Sequence, residues 1–257
     1  MNIIQTCCRN VAVLFVGALL VSCGGGGGGG TAPVTTPPPV KTQPLNDTGI
    51  TASQCYQAGN STLVACNTAG ATSLSAAQDG MVGRDANAAT NPNNDGKLGF
   101  SFTAVTGGCV QDNVTGLMWE VKTTSGLRNW INTYTNYDST TADQKGTATP
   151  PTQAEIDAAT NSIGFKNAVN ATNLCGYSDW RLPTADELQS IVDYGVASPG
   201  PTVDAIWFPN TQGNVFWSSS PSVGGPAFAW YVYFGNGFVS NGYRNGSVYV
   251  RLVRAGQ

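Results

Sequence analysis

Three carboxylates, Glu120, Asp179 and Glu187, are the side chains whose sequence context best suits acid–base chemistry. Hydrolysis of a glycan by such groups needs two of them placed across a cleft. Glu120 has no obvious partner in the sequence, and Glu187 lies where it can cap a helix. The chain contains no histidine, which excludes Ser-His and Cys-His nucleophilic centres and imidazole metal sites. We therefore expect no catalytic residues, no metal and no cofactor, and an envelope-acting enzyme stays an alternative.

An apolar run, Val11–Val21, follows Arg9, the only charged residue near the start of the chain. The run is too short to cross a bilayer as a stable helix. It ends in L-V-S-C, Leu20–Cys23, which resembles the lipobox of a bacterial lipoprotein signal peptide. The resemblance implies removal of residues 1–22 and lipidation of Cys23. An ordinary secretory signal with a chance cysteine is the alternative.

Residues 23–45 have the composition of a tether. Gly24–Gly30 is an unbroken glycine run, and Thr31–Pro44 is rich in proline and threonine. Glycine gives flexibility and proline gives extended spacing, so this stretch is expected to hold a domain, residues 46–257, away from a membrane. By analogy with lipoprotein sorting, the absence of Asp after Cys23 indicates lipid anchoring at the outer membrane of the cell envelope. The membrane leaflet, and with it surface exposure, stays open.

Seven cysteines occur in the chain, and three of them fall in the signal peptide or at the lipid site. The four that remain are Cys55, Cys66, Cys109 and Cys175. An even number in an oxidising compartment indicates two disulfides, for which we favour Cys55–Cys66 and Cys109–Cys175. Cys109–Cys175 closes the longer loop and should therefore stabilise the folded protein more, by about 3–4 kcal/mol if chain entropy dominates. A metal-binding or redox pair is the alternative, but no C-x-x-C spacing supports it.

The charge and composition of the chain limit the kinds of partner that it can bind. The net charge is −3, 11% of the residues are charged and 32 are glycine, a composition typical of a turn-rich exported domain. Nucleic-acid binding requires clustered Lys and Arg, and the sequence has no basic run. We therefore expect no nucleic-acid partner.

Short segments carry strand and turn patterns. Phe100 and Phe102 alternate with polar residues in Gly99–Val105, which predicts a half-buried strand. In Asp112–Glu120 a turn leads into a strand whose Leu117 and Trp119 share one face. The oxygen-rich Asn91–Lys97 leaves open a calcium ion near Asp95, although an Asp-Gly turn is the simpler interpretation.

Two helices are predicted. The first spans about Ile163–Leu174 and stops near Gly176. The second begins at Thr184, where T-x-x-E with Glu187 forms a capping box, and ends at Gly195. Both are expected to be architectural.

The last part of the chain has the composition of a contact surface. It is rich in aromatic residues, Gly and Asn, and no Asp or Glu follows Asp204. Tyr and Trp give large contact area at low entropic cost, while Ser, Gly and Asn give adaptable hydrogen bonding. Alternation along Ala229–Gly235 predicts that Trp230, Val232 and Phe234 face inward.

A hairpin turn is predicted at Asn236-Gly237. Beyond it, Phe238 and Ser240 are expected to project from the same outward face as the residues that alternate with Trp230. The predicted ligand-binding residues on that one face are Tyr231, Tyr233, Gly235, Phe238, Ser240, Asn241, Tyr243, Arg244, Asn245 and Ser247.

Other aromatic and basic residues of this region are expected to be structural. The predicted core markers are Trp119, Trp180, Trp217 and Trp230. Arg181, Arg251 and Arg254 are interpreted as partners of buried backbone or of Asp179 rather than as ligand clamps.

Five motifs occur in a fixed order within Cys109–Arg254. They are D-N-V-T-G-L-M-W, C-G-Y-S-D-W-R-L-P-T-A-D-E-L, F-W-S-S-S, A-W-Y-V-Y-F-G-N-G and Y-V-R-L-V-R. Together they resemble the Lcl C-terminal domain family, named for a bacterial collagen-like adhesin. The resemblance implies a C-type-lectin-like α+β fold, with a small antiparallel sheet core, two helices and abundant irregular loops.

Proteins with this broad fold have several different functions, so the function has to be inferred from particular residues rather than from the fold. Formylglycine-generating enzymes use a cysteine pair near the C-terminus, whereas the last cysteine here is Cys175. The variable proteins of diversity-generating retroelements diversify this C-terminal stretch, which makes a diversified receptor-binding protein one alternative. We expect an adhesin or ligand-binding module for a surface protein or a glycan. A structural envelope module whose tail forms an oligomer interface is a further alternative, and the oligomeric state stays open.

Overall fold

Short strands and short helices alternate with long irregular segments along the chain. The computed structural model describes Asn46, residues 48–83, Ala86 and residues 99–256. The signal peptide, Cys23, the tether and the calcium alternative near Asp95 lie outside the described residues, so these expectations stay predictions. No helix within the described residues is long and apolar enough to span a membrane.

The strands, in chain order, are β1 (Cys55–Gln57), β2 (Asn60–Val64), β3 (Phe102–Val105), β4 (Cys109–Asp112), β5 (Leu117–Glu120), β6 (Val215–Pro221), β7 (Phe228–Tyr233), β8 (Phe238–Tyr243) and β9 (Val253–Ala255). The helices are α1 (Ala69–Leu74), α2 (Asp79–Val82), α3 (Gln153–Ile156), α4 (Ser162–Ala171) and α5 (Ala185–Gln189). This mixture confirms the predicted α+β class. The described residues contain five short helices rather than the two predicted.

The described strands form three antiparallel sheets. β1 and β2 make a two-stranded sheet, β3-β4-β5-β9 a four-stranded one, and β6-β7-β8 a three-stranded one. The strand predicted from Phe100 and Phe102 is β3, and both rings are buried. Leu117 and Trp119 of β5 share one face and pack in the same hydrophobic cluster, as predicted.

The capping box of α5 is confirmed. Thr184 accepts from the backbone N–H of Glu187, and the Glu187 carboxylate accepts from the backbone N–H of Thr184. The predicted end at Gly195 is wrong, because α5 stops at Gln189. The peptide then turns so that Gly195 lies against the backbone of Gly49, where a Cβ would come 2.5 Å from the Gly49 oxygen.

Two buried clusters and two disulfides hold the domain together. One cluster lies between the four-stranded sheet, α5 and one face of β6-β7-β8. The other lies between α4, the segment before β9 that contains Val250 and Leu252, and the opposite face of β6-β7-β8. The predicted disulfides are confirmed as Cys55–Cys66 and Cys109–Cys175. The three-stranded sheet is therefore covered on both faces, each over part of its length.

A buried ion pair replaces the solitary carboxylate expected at Glu120. Lys122 Nζ lies 2.9 Å from Glu120 Oε1, and both side chains are almost fully buried. Glu120 Oε2 accepts from the backbone N–H of Leu252 at 2.9 Å. Burial lowers the pKa of Lys122, and the nearby Glu120 carboxylate opposes that shift. Removing one partner of such a pair would leave an uncompensated buried charge, so we expect the pair to matter for the stability of the fold.

The arginines named from the sequence are structural, as predicted. Arg251 is fully buried and donates to the Glu120 carbonyl oxygen at 2.6 Å and to Thr211 Oγ1 at 2.7 Å. Burial lowers the pKa of Arg251 to about 10. Arg254 pairs with Asp179 at 2.6 Å, and its guanidinium lies 3.6 Å from the centre of the Tyr177 ring.

Candidate functional site

The β7–β8 hairpin carries most of the predicted ligand-binding residues. Tyr233 pairs with Phe238, so four residues, 234–237, form the turn. The sequence pattern predicted a strand that continues to Gly235 and a turn of only two residues, Asn236-Gly237. Gly235 therefore lies in the turn, buried beneath the Tyr233 ring, and its predicted outward position is wrong.

The predicted single face is divided between the two faces of the sheet. Directly opposed residues of an antiparallel pair project from the same face. Tyr231 opposes Ser240 and Tyr233 opposes Phe238. We call these four residues the Phe238 face.

The remaining exposed residues of β8 lie on the other side. Asn241 opposes Trp230 and Tyr243 opposes Phe228. We call these four residues the Tyr243 face. The prediction that Asn241 and Tyr243 extend the face of Phe238 is wrong, because neighbouring strand residues alternate in direction.

The Phe238 face is exposed mainly at the turn. Tyr231 is half-buried and its ring meets Trp217 edge-on, with ring centroids 6.2 Å apart, so it belongs largely to the core. The Phe238 side chain is 58% exposed. Ser240 is half-buried. The exposed aromatic area on this face therefore consists of Phe238 and part of Tyr233.

The Tyr243 face is exposed at the opposite, open end of the hairpin. The Tyr243 side chain is 58% exposed, and its ring packs against Phe228 with centroids 4.4 Å apart. Trp230 is half-buried and lies beside them in β7. Sequence reasoning placed Trp230 in the core and omitted Phe228. Counting both strands by alternation across the turn would have placed the two residues with Asn241 and Tyr243.

The side of the sheet that carries the Tyr243 face is buried over only part of its length. Val232 and Val239, on the same side of the sheet, pack in the first hydrophobic cluster with Leu188 of α5. That helix begins beside β6, where the backbone N–H of Ala185 donates to Ser220 Oγ at 3.0 Å. Trp230, Phe228 and Tyr243 keep accessible surface.

Arg244 is an anchor rather than a ligand residue, which corrects the prediction of an exposed guanidinium. Its side chain is 4% exposed. Nη1 donates to the Asn136 carbonyl oxygen at 2.7 Å and lies 2.8 Å from Asp138 Oδ2, while Nε donates to the Phe228 carbonyl oxygen at 3.2 Å. Arg244 thus joins the end of β8 to the segment that begins at Asn136.

That segment forms a wall beside the Tyr243 face. Asp138 accepts from Gln144 Nε2, and Asn245 Nδ2 donates to the Lys145 carbonyl oxygen at 3.2 Å. A Cβ at Gly146 would lie 3.7 Å from the Tyr243 ring. Asn245 and Ser247 are exposed, as predicted, and the contact of Asn245 fixes it at the rim of the surface.

Asp179 and Glu187, the other two carboxylates considered for acid–base chemistry, each form an ion pair with a different arginine. Asp179 pairs with Arg254, and hydrogen bonds from that guanidinium lower the pKa of Asp179. Burial alone would raise the pKa of Glu187, but hydrogen bonds from Arg181 and the Thr184 backbone lower it. Glu120, Asp179 and Glu187 therefore each have a different cationic partner.

A polar cleft of about 410 Å³ lies beside the Cys109–Cys175 disulfide. Arg128, in its wall, donates to the carbonyl oxygens of Gly108 and Val121 at 2.9 and 2.8 Å. Its guanidinium thus stabilises the loop rather than facing the cleft unpaired. Within the described residues, no group of three or more Cys, Asp or Glu side chains is arranged to hold a metal ion.

Comparison with known proteins gives one family. The sequence model described as the Lcl C-terminal domain matches residues 108–254, more than half of the chain. No curated protein matches the chain. The matched span includes β4 to β8, the first two residues of β9 and both faces of the hairpin.

Proposed function

Because the chain belongs to the Lcl C-terminal domain family, we propose that it is a surface-anchored adhesin or ligand-binding module. Family membership suggests a surface or secreted domain. The proposal adds that Cys23 carries a lipid, that the tether holds the domain away from the outer membrane, and that the domain performs no catalysis. Its ligand is a surface protein or a glycan.

The observation that carries the proposal is the Tyr243 face. Phe228, Trp230 and Tyr243 lie on the same side of the sheet, and the rings of Phe228 and Tyr243 are in contact with centroids 4.4 Å apart. Aromatic faces suit sugar rings and the apolar parts of proteins, while Asn241 supplies an adaptable polar group. A surface whose rings are held in place before binding loses less conformational entropy on binding.

The test is binding of the purified chain, with Cys23→Ser to omit the proposed lipid, to glycan and surface-protein arrays. Tyr243→Ser and Phe238→Ser remove equally exposed rings from the two faces. Ile206→Ser is the matched control, because Ile206 is 84% exposed and lies outside the hairpin. Variants are compared at equal thermal stability. Loss of binding in Tyr243→Ser alone supports the proposal, and unchanged binding in both hairpin variants contradicts it.

The edge of β8 favours a second candidate function, self-association in a structural envelope module. Among the described strands, β8 pairs only with β7, and its sequence, F-V-S-N-G-Y, contains no charge and no proline. Natural proteins usually protect such edges with charge, proline or bulges. A second copy of the chain could therefore pair strand to strand with β8.

Light scattering over a range of concentrations tests this candidate. A mass that rises with concentration, and no longer rises in Asn241→Lys, would favour the structural module. A constant monomer mass in both proteins would eliminate it. Asn241→Lys puts charge on the open edge without removing an aromatic ring.

A further inference from the structure

The two disulfides of the domain differ in how easily a thiol from solution can reach their sulfur atoms. Cys55 and Cys66 are both buried. A Cβ at Gly80 would come 2.6 Å from Cys66 Sγ and 3.2 Å from Cys55 Sγ, and Gly80 is itself buried within α2. The backbone of α2 therefore lies over both sulfurs and shields this bond.

Cys175 of the other disulfide borders the polar cleft of about 410 Å³. Its partner Cys109 is buried, whereas Cys175 is half-buried and lines the cleft together with Gly107. Gly107 is exposed, and a Cβ there would lie 3.2 Å from Cys175 Sγ. Any other residue at this position would place its side chain over the sulfur, so glycine leaves Cys175 Sγ open on this side. Because access decides which sulfur is attacked, a thiol should react with Cys175 rather than with Cys109.

The backbone of Cys175 has a conformation that cysteine seldom adopts. Its φ is +55°, and two neighbours, Asn173 and Gly176, also have positive φ values of +50° and +88°. A non-glycine residue stays in this region only when surrounding contacts fix it, and such residues are common at functional sites. The disulfide is one of these contacts. Strained or exposed disulfides are also the ones that thiols reduce most readily.

The charge of the cleft favours the reactive form of a thiol. The nucleophile in disulfide exchange is the thiolate, which is an anion. Arg128 is the only charged residue among the described residues that line the cleft. Its guanidinium donates to the carbonyl oxygens of Gly108 and Val121 and keeps its positive charge. The volume lies within the roughly 300–1,000 Å³ of small-molecule sites. A small thiol with negative charge therefore suits this cleft.

We propose that the Cys109–Cys175 disulfide is an exchange site that small anionic thiols reach through this cleft. The thiolate attacks Cys175 Sγ, a new bond joins the two sulfurs, and the bond between Cys175 and Cys109 breaks. Its electron pair goes to Cys109 Sγ, which leaves as a thiolate and takes a proton from water. Return attack by Cys109 on the mixed disulfide expels the thiol, so the modification is reversible. This site is separate from the proposed adhesive surface and does not depend on it.

Reduced glutathione is the probe, because it is a small thiol with two carboxylates. The full chain carries Cys7→Ser, Cys8→Ser and Cys23→Ser, so its remaining cysteines are those of the two disulfides. At successive times after glutathione is added, free thiols are trapped with N-ethylmaleimide, and peptide masses show which cysteines carry each group. A parallel series uses cysteamine, a cationic thiol, and each rate is divided by the rate of that thiol with free cystine.

The two disulfides of the same molecule provide the decisive comparison. We expect glutathione on Cys175 and the trap on Cys109 at early times, at a rate at least about tenfold above that at Cys55–Cys66. The normalised rate of glutathione should exceed that of cysteamine about threefold, the size expected for one exposed charge pair. Equal or faster reaction at Cys55–Cys66, early glutathione on Cys109, or equal normalised rates of the two thiols would each overturn the proposal.

Two glycine variants test the path of approach. Gly107 and Gly225 have φ values of +103° and +131°, so replacing either with Ala strains the backbone. Only the methyl group at Gly107 would lie over a sulfur, since a Cβ at Gly225 meets nothing within 4 Å. Gly107→Ala should slow attack on Cys175 at least about fivefold, and Gly225→Ala should leave it unchanged. An unchanged or faster reaction in Gly107→Ala would overturn approach through the cleft. None of these outcomes bears on the adhesive surface.

Discussion

The two ends of the β7–β8 hairpin expose the same amount of aromatic side chain in different ways. Phe238 at the turn and Tyr243 at the open end are both 58% exposed. Tyr243 packs on Phe228 and is followed by Arg244, which is buried and bound to Asn136 and Asp138. Phe238 lies opposite Tyr233 on the neighbouring strand. The Tyr233 ring packs over Gly235, which has no side chain to hold it.

Exposure alone therefore does not identify a binding surface. The open end is a platform, since its rings are in contact and a neighbouring segment is tied to it by hydrogen bonds. The side chains at the open end are already held in place, so they lose little conformational entropy when a ligand binds. At the turn, the side chains have to become ordered as the ligand binds, which makes binding less favourable. The difference makes the Tyr243 face the better candidate.

Loss of the Arg244 anchor should have the largest effect. Arg244→Met removes a buried guanidinium together with its hydrogen bonds to two carbonyl oxygens and its ion pair with Asp138, so we expect a loss of about 2–4 kcal/mol in the free energy of unfolding. Urea denaturation measures it. Arg181→Met is the control, because the Arg181 side chain is 43% exposed and its ion pair should contribute at most about 1 kcal/mol. Equal losses in the two variants would mean that the open end is not anchored through Arg244.

The turn can be altered at two glycines with different consequences. Gly237 has a φ of +77°, and a Cβ there would lie 2.4 Å from the Tyr194 ring and 2.7 Å from Val192. Gly237→Ala should therefore destabilise the protein by about 1–3 kcal/mol. The atoms nearest to a Cβ at Gly235 belong to the far end of the half-exposed Tyr233 ring, which can move aside, so Gly235→Ala should lose less than about 1 kcal/mol. Thermal denaturation compares them, and a reversed order would show that the Tyr233 ring is firmly held.

Ligand binding should distinguish the two ends directly. With a ligand identified from the arrays, Tyr243→Ser should raise the dissociation constant at least about tenfold, as for a central aromatic contact. Phe238→Ser should change it less than about threefold, as for a peripheral contact. Biolayer interferometry on both variants gives the ratio. A larger loss in Phe238→Ser would move the site to the turn and remove the argument from preorganised rings.

Local patterns predicted part of this arrangement. The Thr184–Glu187 capping box needs residues only three apart, and the expectation of two disulfides followed from the even number of cysteines. A short segment and a count are both visible in the sequence, whereas the pairing of the cysteines was a preference that the count alone does not determine. The family motifs extended this to the fold class.

Long-range contacts set the rest of the site and could not be predicted. Arg244 looks like any surface arginine until Asn136, 108 positions away, is seen to accept its hydrogen bond. Lys122 stands two residues from Glu120, yet only burial shows that the two form an ion pair. Trp230 resembles a core residue in the sequence, yet it is only half-buried, whereas Val232, two residues further along the same strand, is fully buried.

The smallest expected effect concerns the wall beside the open end and depends on pH. Lys145 pairs with Glu155 at 2.5 Å, and hydrogen bonds from Lys145 and then from Thr152 lower the pKa of Glu155 from its ordinary value of 4.5 to about 2. A carboxylate with a lowered pKa stabilises the folded state above its unfolded pKa, and the contribution is lost as pH falls toward about 2. Carboxyl NMR titration should place Glu155 near pH 2 in the native chain and closer to 4.5 in Lys145→Gln. A midpoint that stays near 2 in Lys145→Gln would mean that the Thr152 cap alone holds the charge.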